Sequence, residues 1–357
     1  MLRVAVAGAG AFGRNHLRVY RELEAAGLGV ALAAAVEPDA ARAAETAEKY
    51  AIPVFATVDE LLRADLRLNA ASVAVPTVRH HAVASALLDA GLDVLVEKPL
   101  AATLAEADEL VALAERKGRI LQPGHLERFN PAVLAVEPKL RRPMFFEAHR
   151  LSVFTPRSLD VDVVLDLMIH DLDIVLTFAH SPVREVRAVG LPIVSPKVDI
   201  SNVRVEFESG CVANFTASRV STERVRKLRF FEPRQYVSID YARQDLLVIW
   251  LEGSVPAELA AALAAGKVDA KALAKLAAAG AGTGPAPGLH LNKPAVTPGE
   301  PLRLEIESFL DAVRTRRAPR VTARQGREAL ALALEIQAAM AAHAERAGLT
   351  DFFESGA

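Results

Sequence analysis

One cysteine, Cys211, stands in the whole chain, which excludes an intramolecular disulfide and any zinc site built from cysteines. A reducing cytoplasm is therefore the expected compartment. No apolar run approaches the roughly 18 uninterrupted residues of a membrane-spanning helix. The N-terminal "VAVAGAGAF" is broken by glycine and runs straight into "GRNHLRVYREL", a helical pattern, so it does not read as a signal peptide. A soluble, unprocessed protein is expected. Net charge is only -2, so no overall field draws the molecule to nucleic acid or to an anionic membrane. Internal repeats are also lacking.

What the chain does have is an ordinary globular composition, 52% hydrophobic and 24% charged over 357 residues. That length suggests about two domains on a prior of ~150 residues each. Residues 1–123 alternate short apolar strands with helices: "LRVAVA", "GVALAAAVEP", "PVFA", "NAASVAVP", "DVLVEKP" and "RILQPGH" are the strands. Alternation of this kind builds a doubly wound parallel sheet, whose two covered faces explain strands that are apolar throughout. The texture then changes. Over 124–357 the spacing predicts a helix in part of "NPAVLAVEPKL" and another through "DVDVVLDLMIHDLDIVLTFA". Alternating strands follow: "REVRAVGL", "NVRVEFES", "CVANFTASRV", "KLRFFEP", "QYVSIDY" and "DLLVIWLE". The expectation is a second, α+β domain with a mostly antiparallel open sheet. Within it, 253–288 is an Ala/Gly/Pro-rich insertion, and two amphipathic helices occupy 302–347.

Gly8, Gly10 and Gly13 form a G-x-G-x-x-G loop, with Ala11 and Phe12 inside it, between a strand and a helix. The first glycine allows the tight turn, the second lets a pyrophosphate reach the backbone, and the third permits close packing. The helix N-terminus then faces phosphate charge. The next strand ends in Glu37, an acid suited to both hydroxyls of an adenosine ribose and repellent to a 2′-phosphate. Arg42 is the nearest following arginine. NAD is thus expected over NADP.

Ligands of open parallel sheets bind beyond the strand carboxyl ends. Pro76–Thr77, with His80 just after, and Glu97–Lys98–Pro99 both occupy such ends, so they should border the cofactor. Lys98 is either a solvated strand end paired with Glu97 or a group that does chemistry. In "VVLDLMIHDLD", Asp166 and His170 are four apart and share a helical face, with Asp173 three further on. A histidine near a lysine and an aspartate can exchange a proton with a sugar hydroxyl while hydride leaves its carbon. A metal held by Asp166, His170 and Asp173 is the alternative, disfavoured because hydride transfer to NAD needs none.

Glycine loop, ribose acid, E-K-P at a strand end and D-x-x-x-H-x-x-D together resemble the Gfo/Idh/MocA oxidoreductase family over nearly the whole chain. The resemblance implies a Rossmann domain, an open-sheet second domain, and a homodimer or homotetramer built through that sheet. It also implies that Lys98, Asp166 and His170 contact the reacting hydroxyl. One departure is Met168, where many members carry glycine.

The block "QPGHLERFNPAV" at the expected domain boundary offers His125, Arg128 and Asn130 as donors to substrate. It resembles the branch oxidising UDP-N-acetylglucosamine at C3, whose keto product is typically passed to a pyridoxal-phosphate aminotransferase making 3-amino sugars for lipid A or another surface glycan. The pyrophosphate of such a substrate would need cations, for which Arg128, Arg150, Arg157 and Arg219 are available, at least two of them expected to be structural. An inositol or free-sugar dehydrogenase with the same trio is the rival reading. A non-catalytic NAD sensor is a third, opposed by retention of the trio.

Overall fold

The computed structural model describes residues 1–155, 161–252, 282–283 and 289–353. The insertion expected over 253–288 falls almost entirely outside the described residues, as does Arg157.

Two compact units divide the chain: residues 1–129 with 299–332, and residues 130–298 with 333–357. The first is built on six parallel strands: β1 (Leu2–Ala7), β2 (Val30–Val36), β3 (Val54–Phe55), β4 (Ala70–Val73), β5 (Asp93–Glu97) and β6 (Leu121–Gly124). Their order is β3-β2-β1-β4-β5-β6, so the winding reverses between β1 and β4. Every residue of β2, β4 and β5 is buried, as a sheet covered on both faces demands. This is the Rossmann topology.

Helices α1 (Gly13–Ala25), α2 (Ala40–Tyr50), α3 (Val58–Arg63), α4 (His80–Asp89) and α5 (Leu104–Lys117) make the connections. The starts of α2 and α3 are closed by Asp39 and Thr57, whose side chains accept backbone N–H groups. Thr103 and Glu106 form a full capping box at α5. Among the described residues no side chain caps α1, and its first turn holds no acid. That end is left for an anion.

The second unit begins with α6 (Pro131–Val136) and β7 (Phe145–Val153), then α7 (Ile169–Ala179). Strands β8 (Val183–Leu191), β9 (Ile200–Phe207), β10 (Val212–Ser221), β11 (Val225–Glu232), β12 (Gln235–Asp240), β13 (Asp245–Leu251), β14 (Gly282–Thr283) and β15 (Leu289–Asn292) follow. They form one sheet in the order β14-β15-β13-β12-β11-β7-β10-β9-β8. Among the described residues only the β7–β10 pair of this sheet is parallel. Strand β7 lies inside this sheet although sequence reading assigned no strand to "FFEAHRLSV". Its alternating burial, with Phe146, Ala148 and Arg150 turned inward, is the period-two signal of a half-covered strand. On the covered face the Phe178 ring of α7 meets Phe230 edge-on, with centroids 6.1 Å apart.

Two terminal helices, α8 (Pro301–Thr315) and α9 (Ala323–Arg346), were expected to belong wholly with the second domain. The structure places α8 and the start of α9 in the first unit. The apolar stripe of α8 explains why: Leu302, Ile306, Phe309 and Leu310 share a core with Val4, Leu17, Tyr20 and Val30. Truncating a buried phenylalanine such as Phe309 to alanine costs about 3–5 kcal/mol. Arg316 fixes the end of α8 by pairing with Asp93 at 2.6 Å. Further along, Met340 of α9 packs in the second unit, where it accepts a hydrogen bond from Ser201 at 3.1 Å.

Candidate active site

Each glycine of the loop in the first unit has a distinct job. Gly8 has φ +96°, and a Cβ there would stand 2.6 Å from the Ala74 carbonyl oxygen. A Cβ on Gly13 would fall 1.8 Å from the carbonyl oxygen of Gly8, so the third glycine lets α1 close onto the loop itself. Gly10 meets nothing within 4 Å, leaving open space above its backbone. Ala11 and Phe12 are exposed at the loop tip.

Beside the loop lies a cleft of about 640 Å³, lined by Gly8, Gly10, Glu37, Arg42, Pro76 and Arg79 among others. Glu37, at the tip of β2, is held on both oxygens. Oε2 accepts the Ala9 N–H at 3.0 Å, and Oε1 accepts the Asp39 N–H at 3.0 Å and an Arg42 N–H at 2.9 Å. Burial alone would push this carboxyl up, but the Arg42 and backbone hydrogen bonds hold it below the usual carboxylate range. An uncapped helix start, an open glycine and an ionised acid at the switch point fit the pyrophosphate and ribose of a dinucleotide.

Further along the strand ends, Pro76 is exposed and Thr77 half-buried. Both ring nitrogens of His80 face carbonyl oxygens, Nδ1 to Pro99 at 2.8 Å and Nε2 to Val75 at 3.0 Å. Desolvation, opposed by these carbonyls, pushes the imidazole below its ordinary range. His80 thus ties the ends of β4 and β5 together and presents no open nitrogen to a ligand. The Lys98–Pro99 peptide is cis. Lys98 is half-buried between Glu97 and Pro99, both buried. Glu97 does not pair outward to solvent: its Oε1 lies 2.7 Å from Nε2 of His16 on α1. Sequence reading missed this partner. The signal was there, since His16 falls three residues after Gly13, on the helix face that also buries Tyr20. His125 and Arg128 close the segment after β6, 1% and 3% exposed.

In the second unit the helix expected over "VVLDLMIHDLD" begins as a π turn, Val164–Met168, before α7. The Ile169 N–H reaches the Val164 carbonyl five residues back. Such turns are rare and cluster at functional sites. This one contains Asp166 and ends two residues before His170, both half-buried. Asp173 is buried one turn on. Among the described residues no group of three His, Cys, Asp or Glu is placed to hold a metal ion.

Several expected substrate contacts are engaged locally. Asn130 caps α6, accepting the Ala132 N–H at 3.1 Å and donating to the Tyr241 carbonyl at 3.0 Å. Arg150 makes a bidentate pair with Asp171, at 2.7 and 3.1 Å, and lies over the Tyr241 ring. Arg219 is buried, donates to the Val161 carbonyl and stands 3.6 Å from Asp199.

The class this fold and glycine cradle define is the NAD-dependent oxidoreductases with a Rossmann domain. More narrowly, the chain belongs to the Gfo/Idh/MocA family: the model described as "Oxidoreductase family, NAD-binding Rossmann fold" matches residues 2–125, and the family's C-terminal domain model matches 133–234. A UDP-N-acetylglucosamine 3-dehydrogenase of Acidithiobacillus ferrooxidans is 33% identical over 97% of this chain and 99% of its own. A solved structure of that enzyme superposes with TM-score 0.81 at 32% identity, covering 96% of this chain and 98% of the other. An inositol 2-dehydrogenase of Leifsonia xyli is 34% identical over 52% of this chain and 56% of its own. No described helix is long and apolar enough to cross a membrane.

Proposed function

We propose that this protein oxidises the C3 hydroxyl of UDP-N-acetylglucosamine to the 3-keto sugar with NAD+. The observation that carries the reading is the end-to-end 33% identity to a dehydrogenase of that name. The likeness to an inositol dehydrogenase spans only about half of either chain. NAD+, when bound, supplies the hydride acceptor.

The chain's own residues supply the rest. The start of α1 and the backbone at Gly10 receive the pyrophosphate, and Glu37 the adenosine ribose. His170 acts as the base at the hydroxyl, assisted by Lys98, with Asp166 orienting the reacting group. An ammonium placed at the reacting oxygen would stabilise the developing alkoxide. His125 and Arg128 are candidates for the sugar nucleotide, while Asn130, Arg150 and Arg219 hold parts of the second unit together. The keto product suits a pyridoxal-phosphate aminotransferase, which would convert it to a 3-amino sugar for lipid A or another surface glycan. A cytoplasmic homodimer or homotetramer formed through the second-unit sheet completes the reading.

Absorbance at 340 nm tests it. NADH forms from UDP-N-acetylglucosamine, in the presence of a scavenger for the keto product, and not from N-acetylglucosamine or inositol. Turnover of inositol in place of the nucleotide sugar would make the rival reading correct.

A further inference from the structure

His16 is fully buried on α1, and among the described residues its polar contact is Nε2 to Oε1 of Glu97 at 2.7 Å. Its other nitrogen, Nδ1, is buried with no hydrogen-bond partner among the described residues. Burying an imidazole with one nitrogen unsatisfied is unfavourable, so packing alone does not explain a histidine here. What it gains is control of Glu97. That carboxylate is itself 7% exposed and lies against Gly124 of β6, where a Cβ would come within 3.2 Å of Oε2. Glu97 thus sits between α1 and β6 with almost no freedom.

The residue that follows is Lys98, and the residue after that is fixed too, its carbonyl bound by Nδ1 of His80. Two buried histidines from two different helices therefore bracket one half-buried lysine. A lysine carries four rotatable bonds and delivers a proton-accepting or charge-stabilising nitrogen well only if its backbone is held.

We propose that His16 is a positioning residue of the reaction, acting through Glu97 to set the place of the Lys98 amine. This rests on Lys98 being catalytic. The hydrogen bond uses only Nε2 of His16, so a glutamine, whose amide nitrogen lies at a similar reach, is the conservative replacement. Methionine has similar bulk and donates nothing.

The test compares His16→Met, His16→Gln, Glu97→Gln and Lys98→Met with the wild-type protein in two readouts. Competitive acetylation of amines, read by mass spectrometry, reports Lys98 directly and needs no substrate. His16→Met is expected to raise Lys98 labelling severalfold while Lys49 and Lys117 are unchanged, and His16→Gln to return it toward wild type. In turnover, His16→Met is expected to lower kcat by about tenfold to a hundredfold, with KM and NAD+ affinity little changed, as for a group displaced by about 1 Å. Unchanged Lys98 labelling in His16→Met would overturn the proposal, as would His16→Gln behaving no better than His16→Met. If His16→Met does not fold, Glu97→Gln decides on the same labelling readout: altered Lys98 labelling supports the proposal and unaltered labelling overturns it. Full turnover in Lys98→Met is a different failure. It removes the catalytic reading of Lys98, whereas a dead Lys98→Met beside an active His16→Met sinks only the positioning role.

Discussion

Arg42 and Glu37 form a charge-assisted hydrogen bond of 2.9 Å on the wall of the dinucleotide cleft, with the arginine half exposed and the acid buried. The pair holds the carboxylate still before any ribose arrives. Glu37→Ala is expected to weaken NAD+ binding by about tenfold to a hundredfold, the worth of hydrogen bonds to a charged group. Arg42→Ala should cost only a few-fold. Calorimetric titration with NAD+ and NADP+ checks both. Glu37→Ala should also narrow the gap between the two cofactors, because it removes the repulsion of a 2′-phosphate and frees Arg42.

A pH dependence follows from the same acid. Its folded-state pKa is depressed below the ordinary carboxylate value of about 4.3, so its stabilising contribution is complete above that value. That contribution is lost as pH falls through the lower folded pKa. The contribution of Glu37 to NAD+ affinity should therefore be constant from about pH 5 upward and decline only below about pH 4. Wild type should lose NAD+ affinity in that acid limb, whereas Glu37→Gln, already weaker at neutral pH, should show no such limb.

Lys98→Met and His170→Gln are expected to lower kcat by about 10²- to 10⁴-fold, the range for loss of a general acid or base. Asp166→Asn should retain more activity. NAD+ affinity should stay near wild type in the two second-unit variants, since Glu37 and the glycine loop are untouched. Steady-state NADH formation together with cofactor titration separates these effects.

Arg150 offers a clean contrast between two roles. Breaking a buried bidentate pair leaves Asp171 uncompensated, so Arg150→Met should cost about 3–5 kcal/mol in denaturant melts. The double variant Arg150→Met with Asp171→Leu should recover much of that loss. A normally stable Arg150→Met with a raised KM would instead make Arg150 a substrate contact.

Gly326 sits where α9 meets β6: a Cβ there would come within 2.4 Å of the Pro123 ring. Gly326→Ala is expected to destabilise the protein by about 1–3 kcal/mol through overpacking, read as a lowered thermal midpoint. Nothing in the helical pattern of "ARQGREALAL" distinguishes this glycine from a tolerated one.

Local physics made much of the first unit readable in advance. Apolar runs, glycine stops and caps such as Asp39, Thr57 and Thr103 announce their strands and helices within a few residues, because backbone hydrogen bonding and φ restrictions act over that range. Gly8, Gly10, Gly13 and Glu37 were legible for the same reason, being set by one strand–turn–helix and the strand after it. Strand β7 was overlooked because it follows "PKLRRPM", a stretch whose prolines and charges obscure where alternation resumes.

Partners across long sequence separations were decided by the tertiary structure alone. His16 finds Glu97 across the sheet, Arg150 finds Asp171, and α8 returns to cover β1 and β2 after the whole of the second-unit sheet. Spacing could show that His16 and Phe309 face inward. It could not say against what, since a buried polar or apolar group is satisfied by whichever neighbour the fold brings within a few ångströms, and that choice belongs to the packed chain as a whole. The π turn that carries Asp166 is of the same kind: four residues of spacing to His170 suggested a shared face, and only the packed backbone chose the wider turn.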